Sequence, residues 1–201
     1  MAEHADSIAF LIALVGGYLI GSVPFGLLLT KASGGGDIRN IGSGNIGATN
    51  VLRTGRKGLA ALTLLLDLLK GFFAVFIATH YLPGGAAFAA AGAFFGHLYP
   101  MWLGFKGGKG VATYAGIMFG LFWQGGVVYA IAWIGALLIF RISSLAGLLA
   151  ALCAPIAAAY FGRYDLVALL VACTLIVFWK HRTNIENLMD GTEPRIGKSK
   201  G

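Results

Sequence analysis

Three polar stretches carry the residues of this sequence that could do chemistry. The first contains Gly42-Ser43-Gly44-Asn45-Ile46-Gly47-Ala48-Thr49-Asn50, followed by Arg53. The second is Phe105-Lys106-Gly107-Gly108-Lys109-Gly110, and the third is Lys180-His181-Arg182-Thr183-Asn184-Ile185. Glycines allow neighbouring backbone N–H groups to point at one anion, and hydroxyl, amide and basic side chains add further donors. The chemistry common to all three stretches is the binding of phosphate-like anions.

In the first stretch, Arg53 offers a planar fork that suits phosphate, and Arg39 lies nearby. The density of small donors between residues 42 and 50 favours an anion site. The alternative is a flexible loop whose basic residues only fix topology or contact lipid headgroups. The spacing Gly42-x-Gly44-x-x-Gly47 also matches the dinucleotide fingerprint. That fingerprint requires a preceding strand, whereas both neighbours here are long apolar segments, so it is rejected.

The second stretch lies just before a predicted helix, where unpaired N–H groups and the helix dipole favour an anion. Gly107, Gly108 and Gly110 would bring the backbone close, and Lys109 would add a point charge. The alternative is that Lys106 and Lys109 only anchor the loop to one membrane face. The stretch fails the Walker A pattern, because position 103 is Leu and position 110 is Gly, so ATP is not indicated.

In the third stretch, His181 and Asn184 lie within one helical turn and could both point into a cavity. Taken alone, His181 is more simply a cation at a helix C-terminus. Its spacing to Glu186 resembles the His-x4-Asp motif, but the acid differs and the match is treated as coincidence.

Three ionisable residues fall inside apolar segments, where such residues are functional candidates by default. Asp67 and Lys70, at positions i and i+3, can pair with each other. Lys70 could instead point towards the polar face and bind substrate. His97 is a weaker candidate, because a buried histidine can simply bond a neighbour.

The composition identifies the class of protein that must position these residues. The chain has 201 residues, of which 58% are hydrophobic and only 11% charged, with a mean hydropathy of +0.80. These values exclude a soluble globular domain and a disordered chain. We therefore expect an all-α integral membrane protein with one domain over residues 1–201, of which 192–201 form a flexible cytoplasmic tail. Small-residue pairs such as Gly17-x-x-x-Gly21 predict close helix packing in lipid.

Three further features bear on processing and partners. Cys153 and Cys173 lie in apolar runs, so no disulfide framework is indicated. The first residues are acidic, so we expect the first apolar run to remain as an anchor. The net charge of +7 is interpreted as topology charge on one membrane face, so no nucleic-acid partner is expected.

Seven apolar segments are candidates for transmembrane helices, for which about 20 residues are typical. The doubtful boundary lies in the uncharged run from Gly110 to Phe140, where Gln124-Gly125-Gly126 is the predicted turn. The predicted spans are Ser7–Thr30, Gly58–Tyr81, Gly84–Phe105, Val111–Trp123, Val127–Phe140, Ser143–Phe161 and Tyr164–Trp179.

The basic residues orient these spans, because cytoplasmic loops are enriched in Lys and Arg. Seven spans with the N-terminus outside and the C-terminus in the cytoplasm leave only Arg163 on the outer side and Lys70 within a span. The remaining basic residues then share the cytoplasmic face: Lys31, Arg39, Arg53, Arg56, Lys57, Lys106, Lys109, Arg141, Lys180, Arg182, Arg195, Lys198 and Lys200.

The three stretches together resemble the three cytoplasmic motifs of the bacterial PlsY family, the acyl-phosphate:glycerol-3-phosphate acyltransferases. Gly21-Ser22-x-Pro24, Asp67-x-x-Lys70-Gly71 and Gly96-His97 also resemble that family. The resemblance implies a seven-helix enzyme of the bacterial inner membrane with a cytoplasmic active site. It implies transfer of a fatty acyl group from acyl phosphate to the sn-1 hydroxyl of glycerol 3-phosphate, for phospholipid synthesis.

The roles that follow are hypotheses on this resemblance. We expect the glycine loop to hold one phosphate, while a second group grips the other phosphate and orients the attacking hydroxyl. The proton acceptor is either His181 or the departing phosphate, and no metal or cofactor is expected. The protein is expected to be a monomer in contact with membrane lipid. The predicted catalytic residues are Arg53, Lys109, His181 and Asn184, and the predicted substrate-binding residues are Ser43, Gly44, Asn45, Gly47, Thr49, Asn50, Lys70, Lys106, Gly107, Gly108 and Gly110.

A transporter for a phosphorylated solute is the alternative function. Alternating access requires a site near the middle of the membrane and often an internal repeat. Here the polar motifs crowd one predicted face and no repeat is evident, so the enzyme is preferred.

Overall fold

The computed structural model describes residues 2–197, with side chains from residue 6 onward. Within this range the chain is all helical and contains no strand, as predicted. The ten helices of the described residues are α1 Ala2–Gly21, α2 Phe25–Ala32, α3 Ala48–Leu52, α4 Lys57–Tyr81, α5 Ala86–Leu98, α6 Val111–Leu121, α7 Trp123–Phe140, α8 Ser143–Tyr160, α9 Tyr164–Lys180 and α10 Arg182–Met189. Short 3-10 helices lie at Ile38–Asn40 and Met101–Leu103.

Every predicted apolar segment contains a helix, but the helices differ in length. Four segments of the described chain are long and apolar enough to cross a membrane, namely Asp6–Ala32, α4, α7 and α8. A fifth is obtained if α9 and α10, which are bent by 61° at their junction, are counted as one span. By contrast, α5 has 13 residues and α6 has 11. Both are shorter than the roughly 20 residues that a helix needs to span a bilayer without help from flanking residues.

Two predicted spans differ in detail from the structure. The first is interrupted at Ser22-Val23-Pro24, because Pro24 lacks an N–H group and disfavours a helical preceding residue. The predicted turn at Gln124-Gly125-Gly126 is wrong: α6 ends at Leu121 and α7 begins at Trp123. Gly125 and Gly126 are buried within α7, where glycine serves close packing rather than a turn.

The described residues group into two compact units, the first ending at Leu121. In this first unit α1 packs on α5, and α4 packs on α6. A Cβ atom on Gly21 would collide with the backbone of Ala93, and one on Gly71 would collide with the carbonyl oxygen of Thr113. The close helix packing predicted from the small residues is therefore confirmed, and it brings the intramembrane polar residues of α4 and α5 together.

The second unit begins at Phe122, and in it α8 packs against both α7 and α9. The buried face of α8 consists largely of alanine, which lets neighbouring helices approach closely. Thr174 Oγ1 on α9 donates to the carbonyl oxygen of Ala151 on α8, at 2.8 Å. At the end of α9 the chain bends at His181 into α10.

Candidate functional site

The first motif forms a loop that is built around the side chain of Asn50. This residue is only 2% exposed. Its Oδ1 accepts from the Ser43 N–H at 3.1 Å, and its Nδ2 donates to the carbonyl oxygens of Ile38 at 3.0 Å and Ile41 at 2.8 Å. A buried amide that is satisfied in this way shapes the loop. Both donor contacts of Asn50 go to the loop backbone, and its contact with a phosphate stays a prediction.

The backbone N–H groups of the loop are also largely used within it. The Gly44 N–H donates to the Ile41 carbonyl at 3.0 Å, and the Gly47 N–H donates to Asn45 Oδ1 at 2.9 Å. Gly44 has φ of +70°, a conformation that favours glycine. The N–H groups of Gly44 and Gly47, like that of Ser43, are thus bonded inside the loop, and anion binding by this loop stays a prediction. The side chain of Asn45 contributes to the loop as the acceptor of the Gly47 N–H.

Three side chains of this motif remain directed to the surface. Ser43, Thr49 and Arg53 are all exposed. Arg53 lies against the loop, because a Cβ atom on Gly42 would come within 3.0 Å of Arg53 Cδ. The motif therefore presents two hydroxyls and a guanidinium.

The two arginines of this region differ in their electrostatic environment. Arg39 Nη2 lies 2.6 Å from Asp37 Oδ2, and hydrogen bonds from Arg39 hold the pKa of the Asp37 carboxyl well below its usual range. No carboxylate pairs with Arg53 among residues 2–197. The uncompensated positive charge of the first motif is therefore that of Arg53.

The second motif is fastened to the end of α5. The Gly107 N–H donates to the Leu98 carbonyl at 3.1 Å, and the Gly108 N–H donates to the His97 carbonyl at 3.0 Å. These two N–H groups are therefore bonded to the end of α5, and the predicted role of Gly107 and Gly108 in substrate binding stays a prediction. Gly108 must be glycine because a Cβ atom there would collide with the His97 imidazole.

Lys109 and Gly110 follow directly and lead into α6. Gly110 has φ of +87°, and α6 begins at the next residue. Lys109 is half-buried and Lys106 is exposed. Lys109 thus lies two residues before a helix N-terminus, where the helix dipole adds to its positive charge.

Asp67, Lys70 and His97 form a buried cluster between α4 and α5. Lys70 Nζ lies 2.6 Å from Asp67 Oδ1 and donates to the Val23 carbonyl at 2.9 Å. His97 Nδ1 lies 3.7 Å from the same Asp67 oxygen. All three side chains are at most 4% exposed. The pairing of Lys70 with Asp67 is therefore present in the structure, and a substrate contact of Lys70 stays a prediction.

The third motif places His181 at the bend between α9 and α10. His181 is buried, and its Nδ1 lies 2.8 Å from the Val177 carbonyl. Because a carbonyl only accepts, Nδ1 carries the proton in this bond, which leaves Nε2 as the basic nitrogen of the neutral ring. Asn184, in the first turn of α10, donates through Nδ2 to Glu193 Oε1 at 2.6 Å.

Glu193 lies beside the third motif and was not predicted by the sequence analysis. Its buried carboxylate accepts from Ser144 Oγ at 2.6 Å and from Asn187 Nδ2 at 3.1 Å, in addition to Asn184. Sequence offered little signal, since a lone acid after Gly191 looks like part of a tail. Ile196 is tied down as well, by a 2.7 Å bond from its N–H to the Arg141 carbonyl. Lys198 and Lys200 lie outside the described residues.

The chemistry available is charge stabilisation and proton transfer. In the first unit the exposed or half-buried groups are the Ser43 and Thr49 hydroxyls and the cations Arg53 and Lys109. The second unit, taken by itself, holds His181 and Asn184 at the start of α10. Within residues 2–197, no three His, Cys, Asp or Glu side chains come together in a way that could hold a metal ion. Hydroxyl and basic side chains of these kinds suit the binding of phosphate groups.

Comparison with known proteins gives the same picture over almost the whole chain. Residues 11–191 match the family model described as glycerol-3-phosphate acyltransferase. A glycerol-3-phosphate acyltransferase of Mesorhizobium japonicum is 59% identical over 187 residues, which cover 93% of this chain and 96% of the relative. Two crystal structures of PlsY, an integral membrane glycerol 3-phosphate acyltransferase, are also similar. The glycerol 3-phosphate form has a TM-score of 0.88 at 36% identity and the lysophosphatidic acid form 0.86 at 34%, each covering 93% of this chain and 95% of the other.

Proposed function

The chain belongs to the glycerol-3-phosphate acyltransferase family, and we propose that its acyl donor is acyl phosphate. The enzyme would transfer the fatty acyl group to the sn-1 hydroxyl of glycerol 3-phosphate, giving 1-acyl-glycerol 3-phosphate and inorganic phosphate. The observation that supports acyl phosphate as the acyl donor is the set of hydroxyl and basic side chains in the first two motifs. Arg53, Ser43 and Thr49 are exposed on the first motif and Lys109 precedes α6, and side chains of these types suit the phosphate groups that both substrates carry.

Direct transfer satisfies the chemistry of these substrates. The glycerol 3-phosphate hydroxyl oxygen attacks the acyl carbonyl carbon, the bond from that carbon to the phosphate oxygen breaks, and phosphate leaves with the electron pair. Acyl phosphate is already activated, so no protein nucleophile is needed, and the protein supplies positioning and charge stabilisation. Two groups can take the hydroxyl proton, His181 Nε2 and the departing phosphate.

We assign the residue roles from the sequence motifs and from which of their side chains are exposed. Ser43 and Thr49 contact one phosphate, with Gly44, Asn45, Gly47 and Asn50 forming the loop that presents them. Arg53, Lys109, His181 and Asn184 bind the other phosphate and orient the attacking hydroxyl. Lys106 adds positive charge in the same loop as Lys109. Gly107, Gly108 and Gly110 form the backbone that positions Lys109.

We further propose seven membrane crossings, with the N-terminus outside and the active site on the cytoplasmic side of a bacterial inner membrane. The charge distribution supports this topology, since all but two of the basic residues then lie on one face. The short helices α5 and α6 would cross with the help of the segments that flank them. The family match runs through residues 11–191, which supports one acyltransferase domain. We propose that this domain acts as a monomer surrounded by lipid.

Lysine labelling from each side of the membrane tests this topology. We expect Lys31, Lys106 and Lys198 to react with an impermeant amine reagent from the cytoplasmic side only. Arg163→Lys is the matched control, because this variant adds a lysine on the proposed outer face. Labelling of Lys198 from the outside would refute the seven-crossing topology.

The donor proposal is tested with purified protein, palmitoyl phosphate and labelled glycerol 3-phosphate. We expect the label to enter a lipid-extractable product that is identified as 1-palmitoyl-glycerol 3-phosphate, with one phosphate released per product. Hydrolysis of palmitoyl phosphate without labelled lipid would contradict the proposal.

A further inference from the structure

The interruption between α1 and α2 is bonded to side chains from two other parts of the first unit. At Ser22 and Val23 the α1 helix has ended, so neither carbonyl accepts an i+4 helical bond, and in a membrane protein such groups must be satisfied by other protein groups. The Val23 carbonyl accepts one local bond, from the Phe25 N–H at 3.1 Å. Trp102 Nε1 donates to the Ser22 carbonyl at 2.8 Å, and Lys70 Nζ donates to the Val23 carbonyl at 2.9 Å. The Lys70 ammonium thus joins the break to α4.

The same contacts continue to the second motif. Lys70 pairs with Asp67, whose Oδ1 lies 3.7 Å from His97 Nδ1. The imidazole of His97 lies directly against Gly108, and the His97 carbonyl accepts the Gly108 N–H. Lys109 is the next residue. A continuous series of contacts therefore runs from the broken helix to the lysine before α6.

The segment between His97 and Gly108 is held at its other positions as well. Tyr18 Oη on α1 donates to the Tyr99 carbonyl at 2.7 Å and accepts the Met101 N–H at 3.0 Å. Together with the hydrogen bond from Trp102 to the Ser22 carbonyl, these bonds restrict movement of the segment relative to α1. The position of Lys109 then depends on how the His97 ring supports Gly108.

We propose that Asp67, Lys70 and His97 are positioning residues that hold Gly108 against α5 and so fix Lys109 at the start of α6. The proposal rests on the proposed role of Lys109 in gripping a substrate phosphate. A role in helix packing alone does not account for the cluster, because buried ion pairs are weak contributors to stability compared with apolar side chains. Close packing between α4 and α6 is already provided by contacts such as Gly71 on Thr113.

Steady-state kinetics separate positioning from a purely structural role. In His97→Ala we expect the KM for one of the two phosphorylated substrates to rise at least fivefold while the KM for the other is unchanged. A purely structural defect would instead reduce the number of active molecules, which lowers the maximal rate and leaves both KM values alone. Thr63→Val is the control, since Thr63 is buried on α4 and bonds only the Leu59 carbonyl of its own helix.

A second variant keeps the test valid if His97→Ala does not fold. Asp67→Asn combined with Lys70→Met removes both buried charges together, so no uncompensated charge is left, and methionine has nearly the length of lysine. This double variant should retain its thermal stability and show the same selective rise in KM. The single variant Lys70→Arg keeps a donor for the Val23 carbonyl and a positive charge for Asp67. Its KM values should therefore stay close to those of the wild type.

Limited trypsin digestion in nanodiscs reports on the loop without relying on catalysis. Cleavage after Lys106 should be several-fold faster in His97→Ala than in the wild type, relative to cleavage after Arg39 in the first loop. The proposal is overturned if the cleavage ratio or both KM values match the wild type. Absence of acyl transfer in the wild-type protein would refute the proposed function instead, while the cleavage ratio would still decide the positioning role.

Discussion

Replacing Lys109 by alanine is expected to lower kcat/KM by about ten- to a hundred-fold or more while the protein remains folded. Lys109 is half-buried in a loop two residues before α6 and contributes little to helix packing. Loss of a charge-assisted hydrogen bond to phosphate costs about 1.5–3 kcal/mol. Each 1.4 kcal/mol corresponds to roughly a tenfold change in rate.

The measurement is the initial rate of acyl transfer, together with the Tm of the purified variant. Lys57→Ala is the matched control, because Lys57 is an exposed basic residue on the same proposed face with no assigned contact. Lys109→Arg should recover part of the activity by restoring the charge in a different shape. A Lys109→Ala enzyme with normal kcat/KM would reduce this lysine to a topology anchor.

Replacing Glu193 by alanine is expected to have the largest effect on stability. The buried carboxylate accepts from Ser144, Asn184 and Asn187, and hydrogen bonds to a charged group contribute about 1.5–3 kcal/mol each. Since 1 kcal/mol shifts the Tm of a protein of this size by about 2–4 °C, the Tm should fall by roughly 6 °C or more. Activity should fall too, because Asn184 loses the partner that orients it.

Thermal unfolding in detergent measures the first effect, and acyl transfer at a temperature where the variant is folded measures the second. Glu186→Ala serves as control, since Glu186 is an exposed glutamate on α10, the helix that precedes Glu193. Glu193→Gln should lie between alanine and wild type, because an amide oxygen replaces only part of the acceptor capacity. A Tm for Glu193→Ala equal to that of Glu186→Ala would show that the carboxylate does not stabilise the turn after α10.

Hydrophobicity along the chain was sufficient to predict most of the helices. The ends of α4, α8 and α9 agree with the predicted spans to within one residue. Such agreement is expected where the solvent is lipid, because an apolar segment must satisfy its backbone internally and does so as a helix. The turn between α6 and α7 was misplaced because glycine, which favours turns in water, favours packing inside a membrane helix.

The motifs predicted which segments carry the polar groups, but not which atoms are available. Asn50 bonds carbonyls 9 and 12 residues away, and Lys70 bonds a carbonyl 47 residues away. These partners are set by tertiary contacts that residue type and spacing do not encode. The same limit applies to Glu193, whose donor Ser144 is 49 residues distant.

Donor choice tests the central claim most directly. The measurement compares initial rates of labelled glycerol 3-phosphate incorporation with palmitoyl phosphate, palmitoyl-CoA and an acyl carrier protein thioester, each in the presence of EDTA. The proposed mechanism predicts rapid formation of 1-palmitoyl-glycerol 3-phosphate from palmitoyl phosphate without added metal, and no comparable product from either thioester. Equal rates with palmitoyl-CoA, or no product from palmitoyl phosphate, would contradict it.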